Sequence, residues 1–328
     1  IRCRTTIGYG APTKSGSASS HGAPLGADDI KGARESYGWS HPPFEIPKDI
    51  LDQWRHIGQR GKPAFSEWTE RYTGAVIDKK KAFDSALNKD FDDQVHREIR
   101  QLKKAFAEDR PKIATRAASG QVLDKIVPEI ADLIGGSADL SGSNKTQPKG
   151  VEIIDRDNFK GQYIHYGVRE HGMAAAMNGM ALHGGVIPYG GTFLIFSDYC
   201  KPSIRLAALM RQQSIFVLSH DSIGVGEDGP THQPIEHLAG LRAIPNLQVI
   251  RPCDGIETAE AWELALNKKD GPTAIILSRQ GLPSLRHDLE SPDTNLSGYG
   301  AYELKNSSNI EEPVCVLMAS GSEVNIAL

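Results

Sequence analysis

The pattern of apolar and polar positions changes twice along the chain. Between Asp49 and Ala107 apolar residues recur at helical spacing, with Leu51, Trp54 and Ile57 in one stripe and Phe91, Val95, Ile99, Leu102 and Phe106 in another. The spacing predicts helices over 49–59, 66–72 and 83–107, interrupted at Pro63 and Gly74. Their charged residues fall on the opposite faces, as solvated surface does, so this stretch is a helical connector without chemistry of its own. Ahead of it, Thr5–Gly8 have the character of a strand end. Residues 9–26 then form a loop dense in Gly, Ser and Pro that carries Lys14 and His21. A lone histidine in such a loop is ordinarily solvated, although the glycines around His21 would let the backbone approach a ligand closely.

From Pro111 onward, short apolar runs alternate with helical segments. Strands are predicted over 132–137, 163–166, 185–189, 214–219, 247–250 and 273–277, and helices over 115–127, 168–183, 198–210, 234–242 and 256–267. The strands are near-continuous apolar runs, as in a parallel sheet covered on both faces. Alternation of this length predicts an α/β fold with a doubly wound parallel sheet. After about residue 295 a fresh strand pattern, including Pro313–Met318, suggests the opening of a further α/β domain. The chain starts without Met and stops at Asn325–Leu328, inside what has the character of a helix start. It is expected to be a piece of a longer polypeptide.

One stretch organises the rest, Tyr163–Met180. A short strand breaks at Gly167, and a helix comes next whose first turn holds Glu170, just past the strand's carboxyl end. Gly172, Ala174, Ala175, Ala176 and Gly179 leave that helix bare on several faces, which suits close packing against another backbone, including that of a second subunit. Burial there would raise the carboxylate's pKa and let it share a proton near neutrality. The alternative is a glutamate that only complements the helix dipole.

Composition narrows the partners. Length allows two or three domains. With 24% charged residues and a net charge of −4, nothing suggests nucleic acid or an anionic membrane as partner. No apolar run reaches the roughly 20 residues of a membrane span. Four cysteines lie far apart without C-x-x-C, as reduced thiols of a cytoplasmic protein do.

Ligands of open parallel sheets bind beyond the carboxyl ends of the strands. In chain order, the strands here lead into Asp139 with Ser143, then Glu170, Phe193 with Phe196 and Tyr199, His220-Asp221, and Arg279. The loop His220–Pro234 is the most specific segment. Its glycines permit a tight path, two prolines stiffen it, and His220, Asp228 and His232 suit hydrogen bonding to a polyhydroxylated substrate and proton shuttling. A zinc set of the same three residues is the minor alternative, because no H-x-x-x-H spacing is present. Phe193, Phe196 and Tyr199, spaced i, i+3, i+6, suit either a core or the wall of a flat heteroaromatic site.

Several motifs in fixed order carry a resemblance: His21-Gly-Ala-Pro-Leu-Gly26, Ala114-Thr-Arg116, Gly135–Asp139 with Ser143-Asn144, Tyr166–His171, Gly191-Thr-Phe193, the His220–Pro234 loop and Leu277-Ser-Arg-Gln280. The chain resembles the transketolase family across essentially its whole length. The resemblance implies thiamine diphosphate as cofactor and Mg2+ or another divalent cation with it. It implies reversible transfer of a two-carbon ketol unit from a ketose phosphate to an aldose phosphate, in the pentose phosphate pathway or Calvin cycle, by a cytoplasmic homodimer with active sites at the subunit interface. Glu170 is then expected to hydrogen-bond the aminopyrimidine and drive the tautomer that takes the thiazolium C2 proton. Phe193, Phe196 and Tyr199 would line the aminopyrimidine pocket, with Asp139 near the cofactor. Arg116, Ser143, His220 and Arg279 would bind the sugar phosphate, Asp228 the substrate hydroxyls. His232 would lie beside the reacting carbonyl, and His21 would take part in proton transfer near cofactor and substrate.

The same resemblance implies three segments: residues 1–110 as the tail of a diphosphate-binding domain and its connector, 111–295 as a pyrimidine-binding domain, and 296–328 as the start of a third. The family's metal-holding Gly-Asp-Gly does not occur here, since Glu227-Asp228-Gly229 belongs to the substrate loop. No metal ligand is therefore expected in this chain, which would hold one half of each active site. A dihydroxyacetone synthase, a deoxyxylulose-phosphate synthase-like enzyme, or a non-catalytic paralogue that pairs with a full-length chain are the alternatives.

Overall fold

The computed structural model describes residues 1–287, 291–306 and 315–328, and the chain divides into two units, Ile1–Val76 and Ile77–Leu328. The first unit holds α1 (Ala27–Ser36), α2 (Lys48–Gly58) and α3 (Lys62–Thr73). Helix α1 has no counterpart among the predicted elements, because its apolar positions are few and the preceding Gly-rich loop dominates the local pattern. Pro63 sits in the first turn of α3 and Gly74 closes it, as proline and glycine favour. Thr5–Gly8 are not a strand. Residues 7–10 turn instead, with Gly8 and Gly10 at positive φ.

The second unit opens with α4 (Ile77–Asn88) and α5 (Asp93–Asp109). The single helix predicted over 83–107 is thus two. Lys89 adopts φ +55°, and Asp92 caps the new start by accepting from the Gln94 amide at 3.2 Å. Then come α6 (Thr115–Ile126), β1 (Leu133–Ser137), the short α7 (Ser141–Asn144) and β2 (Tyr163–His165). Next are α8 (Glu170–His183), β3 (Ile187–Phe193), α9 (Ser197–Leu209) and β4 (Ile215–Ser219). The unit continues with α10 (His237–Arg242), β5 (Gln248–Ile250), α11 (Gly255–Asn267), β6 (Thr273–Leu277) and α12 (Val324–Ala327).

The strands form one parallel six-stranded sheet in the order β2-β1-β3-β4-β6-β5. Alternate residues of each strand feed two cores. Ile215, Val217, Ile275 and Leu277 face α5, α6 and α11, where Val95, Ile99, Leu123 and Trp262 complete one layer. Phe216, Leu218, Ala274 and Ile276 face the other way, onto Met173 and Met177 of α8, Ile204 of α9 and Leu241 of α10. Both faces are covered, which explains why the strands lack polar alternation. The doubly wound α/β fold expected from the sequence is present.

Strand β3 is wholly buried and contains the pair Gly190-Gly191. A side chain at either would collide: a Cβ on Gly190 would lie 2.5 Å from Met177 Sδ, and one on Gly191 2.7 Å from Thr146 Cγ2 and 2.9 Å from Asn144 Nδ2. Gly191→Ala should therefore lower unfolding stability by about 1–3 kcal/mol in denaturant melts. No change would mean that α7 and the turn after it shift freely.

The strand pattern over 313–318 is only partly covered, since Pro313 and Val314 lie outside the described residues. Cys315–Met318 form no strand and are exposed. Apolar alternation makes a strand only where another edge pairs with it, and no described residue does so.

Candidate active site

Parallel pairing brings every carboxyl end to one edge. Ser137 of β1 stands level with His165 of β2 and Gly191 of β3, and Phe193 with Ser219 of β4 and then Leu277 of β6. The strand order reverses between β1 and β3, where a crevice opens in doubly wound sheets. Asp139 and His220, leaving β1 and β4, both adopt left-handed backbone, φ +62° and +63°. Non-glycine residues take up that conformation at some cost, typically where a side chain must be aimed.

An aromatic wall stands beyond β3. Phe193 stacks on Phe196 with ring centres 5.4 Å apart and planes 13° from parallel. His220 covers Phe193 at 3.6 Å. His232 meets both phenylalanines edge-on, at 5.7 and 5.4 Å. Tyr199 lies 6.0 Å from Phe196 but is 65% exposed, so it belongs to the rim.

Glu170 opens α8 and is 9% exposed. Among the described residues its carboxylate has no hydrogen bond or ion pair. Its charge reaches Cys200, whose thiol burial pushes up to about 12 with Glu170 adding to the shift. The Cys200 sulfur in turn lies 3.9 Å from the Phe196 carbonyl. A carboxylate without a partner at this edge is free to accept from a ligand's donor.

Cations gather on the other side. Arg116 Nη1 donates to the Ser143 carbonyl at 2.7 Å. Arg279 is held by acids, with Nη2 2.9 Å from Glu227 Oε1 and Nε 3.3 Å from Asp228 Oδ2. Burial and the nearby Arg279 lower the Arg116 pKa, against an opposing pull from Asp228. His220 is buried, and its Nε2 lies 4.0 Å from Asp228 Oδ2. Burial first, then Arg116, hold its pKa down to about 4, with Asp228 opposing and Arg279 and His232 adding to the depression. His220 is therefore neutral in the resting site. Two guanidinium groups that feel each other's charge, both able to bind forked, suit a doubly charged anion.

The structure thus brings Arg116, Ser143, Glu170, Phe193, Phe196, His220, Asp228, His232 and Arg279 to one edge of the sheet. Asp139 is at that edge but exposed. His21 is exposed and belongs to the first unit. Sequence reasoning missed Ser219 and named Asn144 only as part of a motif, without a role; both are buried polar residues behind the site. It also missed Arg251, after β5, which joins Asp221 at 2.7 Å with Glu323 and so ties residues 320–323 to the sheet edge. Asp198, Glu236 and His237 have donor atoms within 4.8 Å of one another. There, His237 Nε2 and Asp198 Oδ2 lie 3.0 Å apart. All four cysteines are free.

Comparison with known proteins agrees with this geometry. A family model described as the transketolase pyrimidine binding domain matches residues 111–284. Another, the transketolase thiamine diphosphate binding domain, matches residues 1–98. A transketolase of Cereibacter sphaeroides is 52% identical over all 328 residues of this chain, which cover 49% of that protein. A solved transketolase from Leishmania mexicana superposes with a TM-score of 0.84 at 38% identity, over 98% of this chain and 47% of its own. A Pichia stipitis transketolase in complex with sedoheptulose 7-phosphate gives 0.86 at 36% identity, over 100% of this chain and 48% of its own. The chain spans about half the length of the curated relatives it matches. Motif order, sheet topology, family models and relatives coincide: the chain belongs to the transketolase family.

Proposed function

We propose that this chain supplies the pyrimidine-binding half of a transketolase active site, for reversible transfer of a two-carbon ketol unit between sugar phosphates. The observation that carries the reading is the meeting, at one sheet edge, of an unpartnered buried carboxylate, an aromatic wall and an arginine pair. The residues present fit the aminopyrimidine end of thiamine diphosphate: Phe193 and Phe196 offer a flat apolar wall, and Glu170 a carboxylate lacking a donor. When bound, that cofactor supplies a carbanion at its thiazolium C2. Glu170 holds and exchanges the proton at the aminopyrimidine nitrogen. Phe193, Phe196 and Tyr199 shield it from water, with Asp139 at the edge of the same site.

Arg116, Arg279, Ser143 and His220 seat the substrate phosphate. Asp228 accepts from substrate hydroxyls, and His232, against the aromatic wall, holds a proton beside the reacting carbonyl. His21 belongs to this machinery by the position of its motif. The domain assignment accords with the same reading: residues 1–110 are diphosphate-domain tail and connector, 111–295 the pyrimidine-binding domain, and 296–328 the start of a third. A divalent cation, Mg2+ or similar, accompanies the diphosphate on ligands outside this chain. The partner is a second copy. On α8, Gly172, Ala175, Ala176, Gly179 and Leu182 are exposed, a smooth face suited to close helix packing. The pentose phosphate pathway or Calvin cycle in the cytoplasm is the proposed setting. Free cysteines agree with a reducing compartment, a net charge of −4 with no nucleic-acid partner, and among the described residues no helix is long and apolar enough to cross a membrane.

Arg279→Ala tests the phosphate assignment in the complete enzyme. Loss of a charged hydrogen bond costs about 1.5–3 kcal/mol, so kcat/KM for a phosphorylated ketose should fall roughly ten- to 150-fold. An unphosphorylated ketose should change little. Equal losses for both substrates would remove the phosphate role.

A further inference from the structure

Behind the arginine pair, buried side chains form a chain of hydrogen bonds whose direction is set from one end. Ser137 Oγ donates to the Gly191 carbonyl at 3.0 Å, and a carbonyl only accepts. With its one hydrogen so placed, Ser137 Oγ accepts from the Leu140 amide at 3.1 Å and from Asn144 Nδ2 at 3.4 Å. That orients the Asn144 amide, so its Oδ1 faces Ser219 and accepts from Ser219 Oγ at 2.7 Å. Ser219 Oγ has no second hydrogen. Toward His220 Nδ1, 2.9 Å away, it acts as acceptor.

His220 thus carries its hydrogen on Nδ1 and presents a bare Nε2. Opposite that nitrogen, at 4.0 Å, is Asp228 Oδ2, which has no hydrogen-bond partner but is ion-paired with Arg279 Nε at 3.3 Å. Two acceptors face each other across the gap. The other charged and titratable groups around the ring are Arg116 of α6, Arg279 after β6 and His232 of the loop. Ser137, Asn144 and Ser219 are fully buried, so water does not compete for the chain.

The dianion of a phosphate monoester offers only acceptors. It has no favourable contact with a bare Nε2, whereas an Nε2–H would donate to it. We propose that Asn144 and Ser219 are positioning residues that fix His220 as the Nδ1–H tautomer, and that a phosphate group seats against His220 with uptake of one solvent proton at Nε2. The proposal rests on the phosphate site argued above. The incoming dianion stabilises the imidazolium that the two arginines disfavour, and the only bond formed is Nε2–H.

Two measurements on the full chain test it. In 15N-histidine NMR at neutral pH, with the His220 signals identified by their loss in His220→Gln, Nδ1 should be protonated and Nε2 bare. Ser219→Ala should shift the ring toward a tautomer mixture, and Ser219→Thr, which keeps the hydroxyl, should restore it. A dominant Nε2–H form in the wild type would overturn the tautomer assignment, whatever the variants do. The second measurement is calorimetric titration with methyl phosphate at about pH 8, where this monoester is a dianion without an acidic hydrogen, in buffers of different ionisation enthalpy. About one proton should be taken up per phosphate by the wild type, and none by His220→Gln. Binding without proton uptake would overturn the second half. No binding at all, with Nδ1 protonated, would instead remove the phosphate site of the proposed function and proton uptake with it, and leave the tautomer assignment standing.

Discussion

On the function proposed above, Glu170→Gln in the full-length protein is expected to slow proton exchange at the thiazolium C2 by about 10²–10⁴-fold, the usual scale of a general acid–base group. Thermal unfolding should stay near wild type, because glutamine keeps the shape and one acceptor. The side chain opens α8, where a glutamate is also expected merely for its favourable meeting with the helix dipole. That plainer role predicts the reverse result, a stability loss of about 0.3–1 kcal/mol with normal exchange. A dipole partner does its work at the surface, where the exposed charge is free of desolvation. Glu170 is buried and, among the described residues, has neither hydrogen bond nor ion pair. Unchanged exchange, monitored by NMR of the bound cofactor, would assign the carboxylate to the helix dipole alone.

Periodicity accounts for most of the fold that was legible in the sequence. The strand–helix alternation after Pro111 carried the sheet, because strands buried on both faces are continuous apolar runs and cannot be mistaken for surface. The chemistry could then be placed from the sheet itself. Parallel strands end together, so the residues after Ser137, Phe193, Ser219 and Leu277 had to share an edge. Local breaks were harder. Lys89 at positive φ splits a helical stripe whose apolar spacing continues across the gap, and periodicity is blind to such a residue. Helix α1 is short and mostly polar, and so carries little periodic signal.

Hidden too were the polar residues that work by hydrogen bonding from the interior. Asn144 and Ser219 look like any loop asparagine and strand serine until the sheet brings β1, β3 and β4 together. The long-range ion pairs Arg251–Asp221 and Arg286–Glu260 likewise join elements 30 and 26 residues apart. Spacing along the chain says nothing of them.

The second large effect lies away from the site, in α11. Glu260 is fully buried and carries two cations: Arg286 Nη1 at 2.8 Å on Oε2, and Lys103 Nζ at 3.1 Å from Oε1. The directed hydrogen bond of Lys103 goes to the Thr294 carbonyl, 2.6 Å away, so its contact with Glu260 is mainly coulombic. Ser297 adds an amide at 3.1 Å and a hydroxyl at 2.8 Å. Burial pushes the Glu260 pKa up, but Arg286, Lys103 and Ser297 outweigh it and leave the pKa lowered. One turn earlier Glu257 goes the other way. Burial raises it, and the Tyr302 hydroxyl and the Cys253 amide only partly offset that. Glu260→Gln therefore leaves two buried cations without their anion and should cost about 3–5 kcal/mol in denaturant unfolding at pH 7. Glu257→Gln removes a charge that burial already disfavours and should be near neutral at that pH or stabilising. The pH dependence has opposite signs as well. The contribution of Glu260 is present above the ordinary carboxylate range and is lost as pH falls through its lowered pKa. That of Glu257 is fully present below the ordinary value and is lost as pH rises through the raised one. Equal losses from the two substitutions at pH 7 would show that the cations, not the carboxylate, hold this network together.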